Sequence, residues 1–345
     1  MRIVMLSRDA SGLSADSSTA GRWRALRAEG AELQVVVMAR EGKGWSEPGL
    51  DVVAAVSRSL PMRLFRAWRA LRRLASGADL VTAQDPFELG VVAWAAARLV
   101  RVPFEVQDHG GFFDGGDVDE PMWPLRRRLA WFLARRADAV RTVSPSSLDG
   151  LKRRGVGECA YLLPIGADPR FAEIERRPEP GLVVSVGRLV PVKRMEILVE
   201  AIAIRRASDP SARLVLVGDG PERARLQALA DRVAPGCVDF VGAGDPASWL
   251  ARASVFCLAS RHEGWGIAAV EAAMAGVPVL MSDTGCARWL AERGAATAMA
   301  SADPEAWAAA MADPNPAAGR EALEYSHGPA AQAEAWKRIA SGKKS

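Results

Sequence analysis

Two carboxylates stand eight residues apart in an apolar, glycine-rich run, Glu263 and Glu271 in "RHEGWGIAAVEAAMAGVPVLMSDTG", residues 261–285. Buried acids are unfavourable unless something pairs with them. A carboxylate can accept from two vicinal hydroxyls and so hold a ribose or a sugar, which makes ligand hydroxyls the expected partners. Between the acids, Gly264, Trp265, Gly266 and Ile267 lead into a helix expected from about Ile267 to Ala275. The start of such a helix bares backbone amides that suit phosphate. Upstream, Arg188 and Lys193 flank a Pro-containing turn in "GRLVPVKR". Arg can grip a diphosphate bidentately and Lys adds a point charge, although a solvated basic loop reads the same way in isolation. Gly218 and Gly220, in "VGDGPERARLQALA", would let another group approach the backbone, with a helix starting near Pro221. Alone, that stretch is an ordinary strand-to-helix loop.

These residues must be held by strands and helices, and the pattern supplies both. Short β-branched runs at 2–7, 32–38, 50–56, 78–83, 103–108 and 138–144 alternate with Arg- and Ala-rich helical segments. Near 164 the texture turns Pro-, Gly- and charge-rich, and the alternation restarts at 181–187, 212–218, 237–242, 254–259 and 277–282. The expected class is α/β, with two doubly wound parallel-sheet domains facing a cleft. The expected division is 1–165, a linker at 166–180, and 181–328, with a C-terminal helix at about 329–341 packing back on the first domain. Ligands of such sheets sit outside the carboxyl ends of the strands, which is where the singled-out residues fall.

The chain has 345 residues, half of them apolar and a quarter charged, with a net charge of +4. That suits two soluble domains and an anionic partner without naming one. Cys159, Cys237, Cys257 and Cys286 show no zinc or disulfide spacing, which points to a reduced, cytoplasmic setting. No signal-peptide core and no membrane span is expected.

"GRLVPVKR", "LVLVGDGPERARL", "VDFVG" and "HEGWGIAAVEAAMAGVPVL", in this order, resemble retaining glycosyltransferases with the GT-B fold, of the broad family-4 type (glycosyl transferases group 1). Glu-x7-Glu is the hallmark of that family. "ADLVTAQDP", "VQDHGG", "ADAVRTVSPSSLDGL" and "LPIGADPRF" are similar to it more loosely. The resemblance implies transfer of a hexose from a nucleotide diphosphate sugar to an acceptor hydroxyl on a cell-envelope polysaccharide or other glycan, a lipid or a small molecule, with retention and with neither metal nor other cofactor. Arg188 and Lys193 would neutralise the diphosphate, Glu271 would hold the ribose, and Glu263 would contact the sugar, helped by amides around Gly264–Ile267. The first domain would bind the acceptor and the second the donor. His109, with Asp108 and Gly110 in "DHGG", would lie near donor sugar and acceptor. His109 would position and hydrogen bond there. His262 would line the pocket, and His327 would be structural. Two departures stand out. The first loop, 8–21, lacks the family's Gly-Gly pair and leaves Gly12 as its substitute toward the donor phosphate. The family's Gly after the lysine is Arg194, adding charge beside the phosphate site.

Two segments, 57–75 and 121–139, are rich in arginine and carry aromatics. They can lie on an anionic bilayer, placing the protein peripherally on the inner face of the cell membrane, or pack on the sheet with arginines toward water. The second reading is favoured. No nucleic-acid module accompanies the charge. Three rivals remain: a non-enzymatic sugar- or partner-binding descendant, an epimerase or phosphorylase on the same scaffold, and a nicotinamide-dependent oxidoreductase. The last is disfavoured because no GxGxxG follows the first strand.

Overall fold

A computed structural model of the chain describes residues 1–113, 122–315 and 328–342. It divides into two compact units. The first runs to Ile165 and takes in the C-terminal helix; the second begins at Gly166.

In the first unit, β1 (Arg2–Ser7), β2 (Glu32–Ala39), β3 (Trp45–Glu47), β4 (Leu50–Val56), β5 (Leu80–Ala83), β6 (Phe104–Asp108), β7 (Ala139–Thr142) and β8 (Ala160–Leu162) form one sheet. Its order is β3-β4-β2-β1-β5-β6-β7-β8. Only β3 runs antiparallel, against β4. Helices α1 (Ser18–Ala28), α2 (Leu60–Leu74), α3 (Glu88–Val100), α4 (Trp123–Ala134) and α5 (Pro145–Arg153) lie between the strands. Helices on both faces bury a parallel sheet twice over, which is why its strands read as unbroken apolar runs. Ile3 to Leu6 of β1 are almost wholly enclosed.

The second unit orders α6 (Met195–Arg206), α7 (Arg223–Val233), α8 (Ala247–Arg252), α9 (Ile267–Met274), α10 (Ala287–Ala291) and α11 (Pro304–Ala312) around another parallel sheet. Its strands are β9 (Leu182–Val186), β10 (Arg213–Val217), β11 (Val238–Gly242), β12 (Val255–Leu258), β13 (Val279–Ser282) and β14 (Thr297–Met299), ordered β11-β10-β9-β12-β13-β14. The chain ends in α12 (Pro329–Ala340), whose Trp336 is buried in the first unit.

Each strand expected from the sequence appears. β3, β8 and β14 were not expected; at three residues each, as WSE, AYL and TAM, they carry too little pattern to register. Helix α7 starts at Arg223, so Pro221 belongs to the preceding turn. The segment read as a linker is bonded to the second unit. Arg170 grips Asp245 at 2.8 and 3.0 Å, and Phe171 is buried. Arg176 donates to the carbonyls of Gly276 at 2.6 Å and Ala253 at 2.7 Å.

Candidate functional site

In the second unit, the loops after β9 and β10 are laced together by their backbones. Gly187 N donates to Val217 O at 2.9 Å, Leu189 N to Asp219 O at 3.0 Å, and Glu222 N to Leu189 O at 3.0 Å. A Cβ on Gly218 would stand 1.9 Å from Gly187 O, and one on Gly220 2.3 Å from Leu189 O. Gly218 N is also taken, by Gly242 O at 2.8 Å. The close approach that these glycines permit is therefore backbone against backbone, and Gly218 offers a ligand no amide. Held by this lacing, Arg188 is exposed, with no side-chain partner among the described residues.

Lys193 ends a short 3-10 turn, Pro191–Lys193, and Arg194 turns the chain into α6 with φ of 47°. Left-handed backbone is unfavourable for a residue with a Cβ. Three hydrogen bonds offset it, from the guanidinium to Ala259 O at 2.8 Å, Ser260 O at 3.3 Å and Ser282 Oγ at 3.1 Å. The Arg194 charge is thus spent bracing the ends of β12 and β13, rather than added beside the phosphate site.

That bracing fixes the loop carrying Glu263. The carboxylate is 8% exposed, and its Oε1 accepts from Lys193 Nζ at 2.5 Å and from Ser260 Oγ at 2.5 Å. Lys193, not a ligand hydroxyl, is what pairs with this buried acid in the chain itself. Oε2 has no partner among the described residues. The ammonium also lies 3.9 Å from where a Cβ of Gly187 would stand, so Gly187, Lys193 and Glu263 are neighbours.

Beyond Glu263, the amides of Gly264, Trp265, Gly266 and Ile267 have no acceptor among the described residues. Gly266 caps α9 with φ of 87°, which favours glycine. Gly285 braces the loop from behind: a Cβ there would meet Trp265 O at 2.6 Å. Trp265 itself is 2% exposed, its ring 5.4 Å from that of Trp289. Its side chain packs the loop. Glu271 is half-buried on α9, near enough for its charge to act on Arg170. His262 is half-buried beside Glu263. His327 lies outside the described residues.

The first unit treats its candidates differently. Gly12 is buried under Trp23; its amide donates to Asp9 O at 3.1 Å and its carbonyl accepts from Trp45 Nε1 at 3.0 Å. It has no amide to give a phosphate. Asp9 organises this loop instead, accepting from Ser11 N at 3.1 Å, Ser11 Oγ at 2.7 Å and Thr19 Oγ1 at 2.6 Å. Asp108 is fully buried, and its oxygens accept from Gly110 N and Phe112 N at 3.1 Å and Phe113 N at 3.4 Å. It folds the loop rather than meeting an acceptor, and burial pushes its carboxyl up. His109 is half-buried, its Nε2 2.7 Å from Gln107 Oε1.

Behind His109 lies a buried polar network that motif reading missed. Glu105 accepts from Thr82 Oγ1 at 2.5 Å, Gln107 Nε2 at 2.9 Å, Trp336 Nε1 at 3.0 Å and the Tyr161 hydroxyl. Arg141 donates to Gln332 Oε1 at 2.8 Å and to the carbonyls of Leu163 at 3.0 Å and Pro164 at 3.3 Å. The one available signal was polar residues inside strand runs, in "PFEVQD" and "DAVRTVS".

Of the arginine-rich helices, α4 uses Arg126 on Glu88 and stacks Arg136 3.8 Å over Phe132. α2 buries Ala67 and Leu71 while Leu60, Met62 and Phe65 are exposed. Among the described residues no helix is long and apolar enough to cross a membrane, and no cluster of His, Cys, Asp and Glu could hold a metal ion.

Known proteins match both units. The family described as "Glycosyl transferases group 1" matches residues 180–313, and "Glycosyltransferase Family 4" matches residues 23–171. A sulfoquinovosyl transferase of Arabidopsis thaliana is 28% identical over 76% of this chain and 55% of its own length. A GDP-mannose-dependent alpha-mannosyltransferase of Mycobacterium tuberculosis is 33% identical over 64% of this chain and 59% of its own. The chain therefore spans little more than half the length of these relatives. Among solved structures, Anabaena HepE in complex with UDP and glucose superimposes with a TM-score of 0.72 at 21% identity, over 99% of this chain and 95% of that one. Sucrose-phosphate synthase from Thermosynechococcus elongatus gives 0.75 at 22% identity, over 99% and 96%. With both halves matched and the fold shared from end to end, this chain belongs to the group 1, family-4 type glycosyltransferases of the GT-B fold.

Proposed function

We propose that the protein transfers a hexose from a nucleoside diphosphate sugar to an acceptor hydroxyl, with retention at the anomeric carbon and without a bound metal. The observation that carries this is the set of four amides at Gly264–Ile267, without an acceptor among the described residues, beside Lys193 and the Lys193–Glu263 pair. Amides at a helix start and two cations stabilise the diphosphate as it departs, an electrostatic role worth about 3–4 kcal/mol per key donor. Arg188, with no side-chain partner among the described residues, closes on the diphosphate. Glu263 keeps Lys193 in place through Oε1 and accepts from a sugar hydroxyl through Oε2. Glu271 takes the ribose hydroxyls. The bond from anomeric carbon to phosphate oxygen breaks. The acceptor oxygen attacks from the same face, and its proton passes to the leaving phosphate. The second unit holds the donor and the first takes the acceptor, near His109. HepE, solved with UDP and glucose, supports a nucleotide-sugar donor.

A membrane-borne acceptor is favoured by the exposed Leu60, Met62 and Phe65 on arginine-rich α2. Binding to vesicles with and without anionic lipid tests it, and equal absence from both would remove it.

Product analysis tests the main reading. The protein is incubated without metal with UDP-, GDP- and ADP-sugars and candidate acceptors, and the anomeric configuration of the product is read by proton NMR. A retained glycoside is expected. Release of an isomerised nucleotide sugar would favour an epimerase, and binding without turnover a non-enzymatic descendant.

A further inference from the structure

The amide of Gln107 can be oriented without ambiguity. One end lies 2.9 Å from Glu105 Oε2 and 2.8 Å from Thr82 Oγ1; the other lies 2.7 Å from His109 Nε2 and 3.4 Å from an Arg141 guanidinium nitrogen. A carboxylate can only accept, and a guanidinium can only donate. The NH₂ of Gln107 therefore faces Glu105, and its oxygen faces Arg141 and His109. An oxygen in that place requires a proton on His109 Nε2. Since Gln107 is 1% exposed and Arg141 5%, neither can turn away to water. Nδ1 of His109 has no partner among the described residues, and the residue is partly exposed.

We infer that Gln107, held by Glu105 and Arg141, is a positioning residue that fixes His109 as the Nε2–H tautomer and so presents Nδ1 as a hydrogen-bond acceptor to a hydroxyl of the sugar or acceptor. This rests on the reading that His109 meets the reacting groups. The arrangement reaches across the chain, because Arg141 is itself gripped by Gln332 and Glu105 by Trp336, both on α12. Burial and the charges of Arg141 on β7 and Arg22 on α1 push the imidazole down to about 3, so the ring stays neutral at working pH. The role is that of a second group that orients a ring by its other nitrogen.

The test uses the full chain labelled with ¹⁵N-histidine. Only three histidines are present, so long-range ¹H–¹⁵N spectra, assigned with His109→Asn, resolve His109. The expected spectrum shows a protonated Nε2, an unprotonated Nδ1, and no titration between about pH 5 and 8. A ring protonated on Nδ1, or one titrating near its ordinary value, overturns the inference, and this result is read on the native chain. In Gln107→Leu the tautomers should mix, with kcat down about tenfold and KM for the donor little changed, the effect of one lost hydrogen bond. Trp336→Phe, which touches Glu105 but not His109, should leave the tautomer fixed; mixed tautomers there would show general loosening and contradict a specific role. If Gln107→Leu mixes the tautomers while turnover holds, the positioning stands and the catalytic placing of His109 falls.

Discussion

The loops after β9, β10 and β12 and the loop after β6 solve one problem, holding side chains still at the end of a parallel sheet, by opposite means. In the second unit most of the work is done by backbone, with the Arg194 guanidinium bracing the ends of β12 and β13. Gly187, Gly218, Gly220, Gly266 and Gly285 let strands' ends lie against one another, and the functional side chains project from that lattice. In the first unit it is done by buried polar side chains, with Glu105, Gln107, Arg141, Tyr161 and Trp336 drawn from positions up to 231 residues apart. The glycines of this lacing stand in loops directly after strands, so they leave a pattern that can be read in the chain. A side-chain network spread over the whole sequence leaves none.

The contrast says where each half should break. The largest effect is expected from Gly218→Val, since a side chain there meets Gly187 O at 1.9 Å with φ of 148°. Such a clash against backbone should remove 4 kcal/mol or more, roughly the extreme of single substitutions, read by urea unfolding. A loss under about 1 kcal/mol would mean that the two loops are not laced as described. Next, Glu105→Ala should strip the Trp336 indole and Tyr161 hydroxyl of their acceptor and leave the buried Gln107 amide with Thr82 alone. About 3–5 kcal/mol should go, whereas an equivalent charge removal on the surface would be nearly silent. Smaller again is Arg194. Arg194→Ala loses three hydrogen bonds and keeps the left-handed strain, while Arg194→Gly loses the bonds and relieves the strain. The glycine variant should be the more stable of the two by about 1 kcal/mol. Equal stabilities would show that Arg194 is not strained.

A further expectation concerns pH. His109 is held neutral when folded, down to about 3, but the unfolded chain takes a proton near 6.5. The unfolded state then binds more protons between those values, so stability is lost as pH falls through that window. Urea midpoints at pH 7, 6, 5 and 4 should fall more steeply for the native chain than for His109→Asn. Parallel slopes would count against a ring held neutral.

This contrast also explains what could be read from the sequence. Both sheets and the long helices follow from apolar runs and turn spacing, because each is decided within a few residues; the pairing of Glu263 with Lys193, 70 residues away, does not, and ligand hydroxyls were expected in its place. Gly218 and Gly12 were marked as glycines that admit a close approach, and they do. What approaches is Gly187 or Trp23, not a phosphate, and only three-dimensional packing distinguishes those. Arg194 reads as added charge in a line of sequence, yet its guanidinium folds inward. Gln107, Arg141 and Gln332 are single polar residues in three separate elements, and nothing local marks them as one device.

The central claim is that the second unit grips a nucleoside diphosphate with Lys193, Arg188 and the amides that follow Glu263. The most direct measurement is calorimetric titration of the native chain with UDP, GDP and ADP, without metal, beside Lys193→Ala and Arg188→Ala. One nucleotide should bind the native chain, with affinity falling at least tenfold in each variant while the unfolding midpoint of Arg188→Ala stays unchanged, because Arg188 makes no side-chain bond among the described residues. Undiminished binding in both variants, or no binding to the native chain at all, would contradict the account.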